Sequence, residues 1–474
     1  MTGPSGDTAN RSAPNSDSQD LEDIALGENY ELTATYVDMV VDAADRGDSA
    51  RLCDLVHALR PEDVADLMGF LSADYREDII PHLAPEDLAE ILAELDTNLR
   101  EEVLDVLAPA TLARAIGELD SDDAADVIDD MEDDQRHQVL AAMSDVDRAA
   151  IETTLAYEEE TAGRLMQREV LAAPQFWTVG QTIDHVRGSG DELPELFFDV
   201  YVVDPAFKAV GAVPVSGLLR APRERMLSEI MEQVTEIPVD MDQEEVAYIF
   251  DKYHLISAPV VDAGGRLVGQ ITVDDIVGVI QEETEEDILA LAGVSDAGRD
   301  ASVVDIVKSR LPWLVLNLAT ETVAVSVIGA FQQEIQKLVT LAIIMPIVAS
   351  LGGNAGTQTL AVAVRALAGR ELNAANALRT VRRELFVGLF NGAVLAAVMA
   401  GAIFLLFHDA RLSLTVALAL IVNISVAALA GILAPLALER FGRDPAVSSS
   451  VFVTFVTDFT GFLSFLGLAA WILL

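Results

Sequence analysis

Apolar residues follow three different patterns along the chain, and each pattern predicts a different architecture. From residue 31 to residue 157 they recur every three or four positions, as on one face of a helix. From residue 165 to residue 283 they form short β-branched runs separated by helical stretches. After residue 310 they form five segments long enough to cross a bilayer. We therefore predict a multidomain protein with an all-α part, an α/β part and an α-helical transmembrane bundle.

The all-α part contains an internal repeat. Pro61, Pro85 and Pro109 lie 24 residues apart, each at the start of a helical apolar pattern. Because proline suits the first turn of a helix, each is predicted to begin one. We predict stacked helical pairs over residues 29–160, preceded by a disordered tail over residues 1–28. Such a domain is either a sensor or docking module or a plain helical scaffold, and the repeat alone favours the scaffold.

The α/β part is predicted to contain two similar units, at residues 161–225 and 226–284. The second has the clearer succession of elements, because an Asp-Ala-Gly-Gly turn separates two apolar runs. The predicted elements are strands Val200–Val203 and Val210–Val215, a helix Asp242–Tyr253, strands Ala258–Val261 and Leu267–Val273, and a helix from Asp274.

A strongly acidic stretch follows the α/β part. Glu282–Asp287 reads Glu-Glu-Thr-Glu-Glu-Asp and leads into a predicted connecting helix over residues 285–310. Like charges this dense repel one another, so the segment would melt or extend unless a cation or a partner binds there. The alternative is a solvated linker helix.

The five long apolar segments predict a transmembrane domain over residues 311–474. Basic residues cluster before the first segment, between the second and third, and between the fourth and fifth. By the positive-inside rule, the soluble part would lie in the cytoplasm and the C-terminus outside. No apolar segment follows the first residues, so we expect no signal peptide. The segments are Pro312–Phe331, Leu338–Leu367, Leu385–Phe407, Leu412–Leu438 and Ser450–Leu474.

The formal net charge is −47, and the acidic side chains are concentrated before residue 311. This balance argues against a nucleic-acid partner, because the phosphates would be repelled. It fits the binding of hard cations by carboxylates. The scarcity of lysine equally fits a halophile, in which most of these acids are solvated surface groups. The single cysteine, Cys53, allows no intrachain disulfide.

The second apolar segment is unusually polar at its centre. Gly352, Gly353, Asn354, Gly356 and Gln358 fall within seven positions. Such residues either allow tight helix packing or line a permeation path, since polar groups at membrane depth must be buried in protein or face water. Their concentration favours the permeation path, to which Gly353 and Asn354 would contribute oxygen atoms.

Two acidic residues lie inside the apolar segments, Asp458 in the fifth and Glu321 in the first. A carboxylate at membrane depth is costly and usually functional. Asp458 is well inside its segment, whereas Glu321 could equally be protonated or hydrogen-bonded between helices. No basic residue lies at the centre of a segment, so a cation is the expected partner. A symmetric homodimer would bring two copies of Asp458 around one axis.

From about residue 31 to the C-terminus, the sequence resembles the MgtE-type magnesium transporters. The resemblance is carried by the helical repeats, the junction Tyr157–Met166, α/β units similar to a tandem pair of CBS domains, and several membrane motifs. It implies a homodimer in the plasma membrane in which Asp458 of both chains binds hydrated Mg²⁺ beside Asn354. It also implies that intracellular Mg²⁺, bound between the soluble domains, closes the pore. The membrane motifs are Arg310–Leu314, Pro346–Gln358, Val364–Leu367 and Asp444–Gly461.

The resemblance also implies ligands for the regulatory Mg²⁺. Two positions depart from the family, where His254 and Gly278 replace carboxylates and Asp251 is a neighbouring substitute. The helical domain does not align well enough to name its ligands. CBS domains of this kind often bind the ribose of an adenine nucleotide through residues that here are Gly269, Thr272 and Asp275. The matching acids are Asp242, Glu244, Asp274, Asp275, Glu283, Glu286 and Asp287.

The function we expect is passive, Mg²⁺-selective conduction. Mg²⁺ binds oxygen ligands and gives up its water reluctantly, so a pore that holds the hydrated ion needs few protein groups. One alternative is a transporter of another divalent cation, such as Co²⁺, Mn²⁺ or Ca²⁺. Another is a membrane-anchored nucleotide sensor with ATP at the CBS pair. No nucleophile–base set and no Walker-type phosphate loop is found in the sequence, so an enzyme is not expected.

Overall fold

The computed structural model describes residues 21, 24–83, 85–189, 193–194, 196–292, 294, 303–372, 376–441, 445 and 449–473, apart from the side chains of residues 85, 86 and 305. Most of the predicted tail lies outside these residues, as do residues 293 and 295–302 of the predicted connecting helix. The chain divides into two compact units, Met1–Val279 and Ile280–Leu474.

The first unit begins with short helices joined by tight turns. The predicted repeat is confirmed, because each of its three prolines is the first residue of a helix and a second helix follows each one. A single 3₁₀ turn, Ile80–His82, follows α4. The helices are α1 (Ala34–Asp45), α2 (Ser49–Val56), α3 (Pro61–Phe70), α4 (Ala73–Ile79), α5 (Pro85–Glu94), α6 (Thr97–Val106), α7 (Pro109–Ile116), α8 (Ser121–Asp129), α9 (Asp133–Ala142) and α10 (Asp145–Thr154).

Partly buried arginines tie the helical pairs together. Arg100 donates to the carbonyl oxygens of Ala93 and Leu95, at 2.9 and 3.0 Å, and to Asp130 at 2.9 Å. It thereby satisfies carbonyl groups that the end of α5 leaves without helical partners. Arg136 donates in the same way to carbonyl oxygens at the end of α8. The apolar faces of these helices form one continuous core.

The rest of the first unit is the predicted α/β pair, whose last helix continues past Val279 into the second unit. Each half has a three-stranded sheet in which a parallel pair is followed by an antiparallel one, and this shared topology confirms the tandem arrangement. The elements are α11 (Ala162–Leu165), β1 (Ala172–Pro174), α12 (Val179–Ser189), β2 (Asp199–Val203), β3 (Ala209–Pro214), α13 (Val215–Arg220), α14 (Leu227–Ile230), β4 (Ile237–Pro238), α15 (Gln243–Tyr253), β5 (Ser257–Val261), β6 (Leu267–Thr272) and α16 (Val273–Leu291).

The turn between β5 and β6 forms where the sequence predicts it. The Asp262 carboxylate accepts hydrogen bonds from the backbone N–H groups of Gly264 and Arg266, at 2.8 and 2.9 Å. Gly265 has a φ of +75°, a conformation that favours glycine.

The second unit contains the membrane helices. Five helices in the described part of the chain are long and apolar enough to cross a bilayer, as predicted from the sequence. Within this unit, α21 packs against α19, α20 and α22, and α17 packs against α22. The helices are α17 (Val303–Ala330), the short α18 (Gln332–Lys337), α19 (Thr340–Ala368), α20 (Ala377–Phe407), α21 (Ala410–Arg440) and α22 (Ser449–Ile472).

Candidate ion-conduction and regulatory sites

The polar centre of the second membrane segment is part of one continuous helix, α19. Gly352 and Gly356 face the bundle and are buried, whereas Asn354 and Gln358 are exposed. The Gly353 carbonyl oxygen accepts a hydrogen bond from Thr357 Oγ1 at 3.1 Å. The two interpretations of this segment therefore apply to different faces of the helix. Its glycines pack against neighbours, and its amides remain available for another contact.

The polar face of α19 continues beyond the amides. Ser350, Asn354 and Gln358 recur at four-residue spacing and are all exposed. Residues at this spacing lie above one another on one side of a helix. The face is therefore a polar stripe at membrane depth, which we call the α19 stripe.

Asp458 lies in α22, half-buried, with a second carboxyl group beside it. Its side chain is within hydrogen-bonding range of Glu321 of α17. The next-door residue Thr457 is fully buried, and a Cβ built on Gly353 would lie 3.9 Å from its Oγ1. The structure thus places the α19 segment next to the helix that carries Asp458, and it brings Glu321 to the same place.

In the first unit, a buried acid of the helical domain faces the α/β pair. Asp122 is in the first turn of α8 and is 7% exposed. Among the described residues its Oδ1 has no hydrogen-bond partner. Burial raises the pKa of Asp122 well above its ordinary value, and the charge of Asp275 raises it further. The same causes act on Asp275, since burial and then the charges of Asp274 and Asp120 raise its pKa to about 6.

Other acids near the end of α8 are neutralised, which sets Asp122 apart. Asp129 pairs with Arg164 at 2.7 Å, and Asp130 pairs with Arg100 at 2.9 Å. No ion pair to Asp122 is present in the part of the chain that the structure describes. A buried carboxylate without a positive partner favours binding of a proton or a metal cation. Sequence reasoning missed this residue, although the run Ser-Asp-Asp at the start of α8 was a visible signal.

The remaining predicted regulatory acids are spread over both units. Asp242 caps α15, where it accepts from the Glu244 N–H at 3.0 Å, and Asp274 is exposed in the first turn of α16. No three acidic, histidine or cysteine side chains within the described residues are arranged to hold a metal ion by themselves. The acids Glu283, Glu286 and Asp287 lie on the part of α16 that belongs to the second unit.

The residues predicted to bind a nucleotide have structural roles of their own. Thr272 Oγ1 donates to Asp275 Oδ2 at 2.9 Å, and the Thr272 N–H approaches the same oxygen at 3.4 Å. This resembles a capping box at the start of α16. A Cβ on Gly269 would lie 2.6 Å from the carbonyl oxygen of Gln167, so glycine is required there for packing.

These features define a membrane protein with five candidate spans, a carboxylate at mid-span and a soluble part of helical repeats and CBS-like units. Family models match all three regions: "Divalent cation transporter" (MgtE) over residues 345–468, "MgtE intracellular N domain" over residues 59–160 and "CBS domain" over residues 227–282.

Relatives match over most of the chain. "Magnesium transporter MgtE" of Enterococcus faecalis is 33% identical over 321 residues, which cover 68% of this chain and 71% of the relative. The protein of the same name from Thermus thermophilus is 33% identical over 326 residues, covering 68% and 72%. The chain belongs to the MgtE family of divalent cation transporters. The crystal structure of the cytosolic domain of the Mg²⁺ channel MgtE in complex with ATP is 31% identical, covers 51% of this chain and 99% of that chain, and has a TM-score of 0.49.

Proposed function

We propose that this chain conducts Mg²⁺ passively across the cell membrane as a homodimer, and that Mg²⁺ bound to its soluble part closes the pore. The observation that carries the proposal is the Asp458 carboxyl at mid-span, on a helix that neighbours the polar segment of α19. Membership of the MgtE family, with relatives named magnesium transporters, supports Mg²⁺ as the ion.

The chemistry of the pore groups suits a hydrated ion. Mg²⁺ holds its water molecules tightly and prefers oxygen ligands in octahedral geometry. A carboxylate at Asp458 attracts the charge, while the amide of Asn354 can accept hydrogen bonds from the bound water. The Gly353 carbonyl oxygen would join it only if the Thr357 hydroxyl, which now donates to it, turned away. An anion would be repelled by Asp458 and Glu321.

The α19 stripe supports a dimeric pore. In a single chain its amides are exposed at the depth of the hydrocarbon core, where a polar surface must be covered by protein or water. A second copy related by two-fold symmetry can enclose a water-filled path between two such stripes. The same symmetry brings in a second Asp458, which doubles the charge that faces the ion.

The proposed orientation follows from the basic residues. Arg379, Arg382 and Arg383 lie at the start of α20, at the end proposed to face the cytoplasm. The N-terminal unit would then be cytoplasmic and the end of α22 would face outward.

Regulation is proposed to depend on acidic side chains that repel one another when no metal is bound. The charge of Asp275 raises the pKa of both Asp122 and Asp123, so these acids lie close together. A divalent cation converts such repulsion into attraction, so it stabilises the arrangement in which the acids converge. Since no complete cluster exists among the described residues, the sites would be completed when the soluble parts of two chains approach. The other proposed ligands are Asp242, Glu244, Asp274, Glu283, Glu286 and Asp287.

Two further kinds of ligand are proposed from ligand chemistry and from the sequence pattern. Other divalent cations such as Co²⁺ and Mn²⁺ share the ligand preference for oxygen and could permeate. ATP at Gly269, Thr272 and Asp275 rests on the sequence pattern, and the Thr272–Asp275 hydrogen bond already gives those two residues a role in capping α16.

The proposal is tested by uptake into proteoliposomes that contain the purified full chain and a Mg²⁺-sensitive dye. We expect uptake driven by the Mg²⁺ gradient without ATP, and slower uptake when Mg²⁺ is also present on the side of the soluble unit. Adding Co²⁺, Mn²⁺ or Ca²⁺ outside measures selectivity. Binding of ATP without any cation flux would instead favour the nucleotide sensor.

A further inference from the structure

Asn423 is a fully buried amide in the middle of α21, a helix that carries none of the predicted pore residues. It is 0% exposed, and its Nδ2 donates to the carbonyl oxygen of Val348 at 2.9 Å. Val348 belongs to α19 and lies one helical turn before Gly352. Hydrogen bonds of this kind between membrane helices fix one helix against another.

Two glycines make room for the amide. A Cβ on Gly461 of α22 would lie 2.8 Å from Asn423 Nδ2, and a Cβ on Gly352 of α19 would overlap the same atom. Gly352 is two residues before Asn354, and Gly461 is three residues after Asp458. The Asn423 side chain therefore lies between the two helices that carry the predicted pore residues.

Stability alone does not explain an amide at this position. Asn423 Oδ1 is buried and has no hydrogen-bond partner among the described residues. Leaving a buried acceptor unpaired is unfavourable, and an apolar side chain of similar size would avoid that cost. The amide thus makes one specific hydrogen bond, to the carbonyl oxygen of Val348, while its own oxygen has no partner among the described residues.

We propose that Asn423 is a positioning residue for ion conduction, which sets the separation of α19 and α22 and thereby the distance between Asn354 and Asp458. This inference rests on the proposed Mg²⁺ conduction. Because Mg²⁺ tolerates little deviation from octahedral geometry, a small shift of these helices changes the fit to the hydrated ion. The expected effect is on ion affinity and selectivity rather than on folding.

The first test compares Asn423→Leu with Ser425→Ala in proteoliposomes. Ser425 is on the same helix and also has a buried hydroxyl without a partner in the described part of the chain, which makes it a matched control. We expect Asn423→Leu to raise the half-saturating Mg²⁺ concentration several-fold and to reduce discrimination against Ca²⁺. Ser425→Ala should match the unmodified protein in both.

A double variant separates positioning from packing. Gly352→Ala alone should lower the unfolding temperature, because its Cβ overlaps the amide. The pair Gly352→Ala with Asn423→Ala removes the overlap and should restore much of that temperature without restoring the half-saturating Mg²⁺ concentration. Recovery of both quantities would mean that Asn423 only fills space, and would overturn the proposal.

A cross-linking measurement tests the separation of α19 and α22 without measuring ion flux. In a Cys53→Ser background, Gly353→Cys and Thr457→Cys should form a disulfide on mild oxidation, since the two positions adjoin. Adding Asn423→Leu should lower the yield of this disulfide.

If the Asn423→Leu variant does not assemble, the Gly352→Ala/Asn423→Ala pair replaces it in the uptake and cross-linking measurements. Absence of Mg²⁺ uptake by the unmodified protein would refute the proposed function, whereas unchanged cross-linking with unchanged half-saturation would refute the role of Asn423.

Discussion

The carboxyl groups of Asp458 and Glu321 lie within hydrogen-bonding range of each other, on the fifth and first membrane helices. Two carboxylates this close at membrane depth repel each other unless a proton or a cation lies between them. The contact places Glu321 in the candidate pore site. From the sequence alone, the role of Glu321 was left open.

Replacing Glu321 by glutamine should weaken Mg²⁺ binding in the pore while leaving conduction intact. The amide keeps the shape and one hydrogen bond but removes one negative charge. We expect a several-fold rise in the half-saturating Mg²⁺ concentration, measured by dye-based uptake. An unchanged value would show that Glu321 is neutral in the working protein and contributes no charge to the ion.

Asp458→Ala should abolish Mg²⁺ uptake and leave the dimer assembled. The substitution removes the carboxylate that is proposed to balance the charge of the ion at mid-span. The uncharged amides of α19 cannot replace that charge. Asn354→Ala, which removes only an oxygen, should change the rate or selectivity without stopping uptake. Asp409→Asn is the control, because asparagine also caps a helix and the contacts of Asp409 with the described residues are those that cap α21. Normal uptake by Asp458→Ala would refute the proposed pore.

Neutralising Asp275, Glu286 and Asp287 together should weaken inhibition by internal Mg²⁺ and preserve permeation. With fewer carboxylates, a bound divalent ion stabilises the closed arrangement of these side chains less. Glu285→Gln, on the same helix and outside the proposed ligands, is the matched control. If the acids are only salt-adapted surface charges, the triple variant will show the inhibition curve of the unmodified protein.

Inhibition by internal Mg²⁺ should weaken as pH falls through about 6. The pKa of Asp275 is raised to about 6 by burial and neighbouring acids, and that of Asp122 is raised for the same reasons. Protonation removes the charges that attract the cation. The measurement is the inhibitory Mg²⁺ concentration at pH 8 and at pH 6. Asp122→Asn combined with Asp275→Asn should flatten this difference.

The same pKa shifts predict an opposite effect on stability when no metal is present. A carboxyl group whose pKa is higher in the folded than in the unfolded state favours folding most when it is protonated. Its contribution is complete below the unfolded pKa of about 4 and is lost as pH rises through about 6. Metal-free protein should therefore unfold at lower temperature at pH 8 than at pH 5, and Mg²⁺ should reverse the trend.

The end of α22 and the start of α20 are expected to lie on opposite sides of the membrane. After Cys53 is replaced, Trp471→Cys, at a position 82% exposed, should react with an impermeant thiol reagent from outside intact cells. Arg383→Cys, with an exposed side chain, should react only after the membrane is opened. Labelling of both from the same side would contradict the span count or the orientation.

Local signals in the sequence were sufficient for most of the fold. Each proline of the repeat begins a helix, and the Asp262–Gly265 turn forms where it was predicted. The membrane helices follow from length and apolarity alone. These features depend on neighbours in the chain, so their physical causes are visible in the sequence.

The residues that sequence reasoning missed depend on contacts between distant segments. Asp122 becomes distinctive only because α8 packs near the start of α16, while Arg164 and Arg100 neutralise other acids of the same helix. Asn423 was indistinguishable from any polar residue in an apolar helix until Val348, Gly352 and Gly461 were seen around it. Tertiary packing decides which helices become neighbours, and the hydrophobic periodicity of the sequence does not reveal those neighbours.

Gly352, Asn423 and Gly461 share one space between three membrane helices, so we expect substitutions at these positions to be coupled. A side chain at either glycine overlaps the amide and is unfavourable while the amide occupies the shared space. Loss of the amide leaves a void that a larger residue at 352 or 461 would fill. Single substitutions at these positions should therefore be selected against, whereas compensated pairs should be tolerated. In an alignment of this family, the side-chain volumes at the three positions should be anticorrelated, and a lineage that loses the amide should carry a larger residue at one of the glycines.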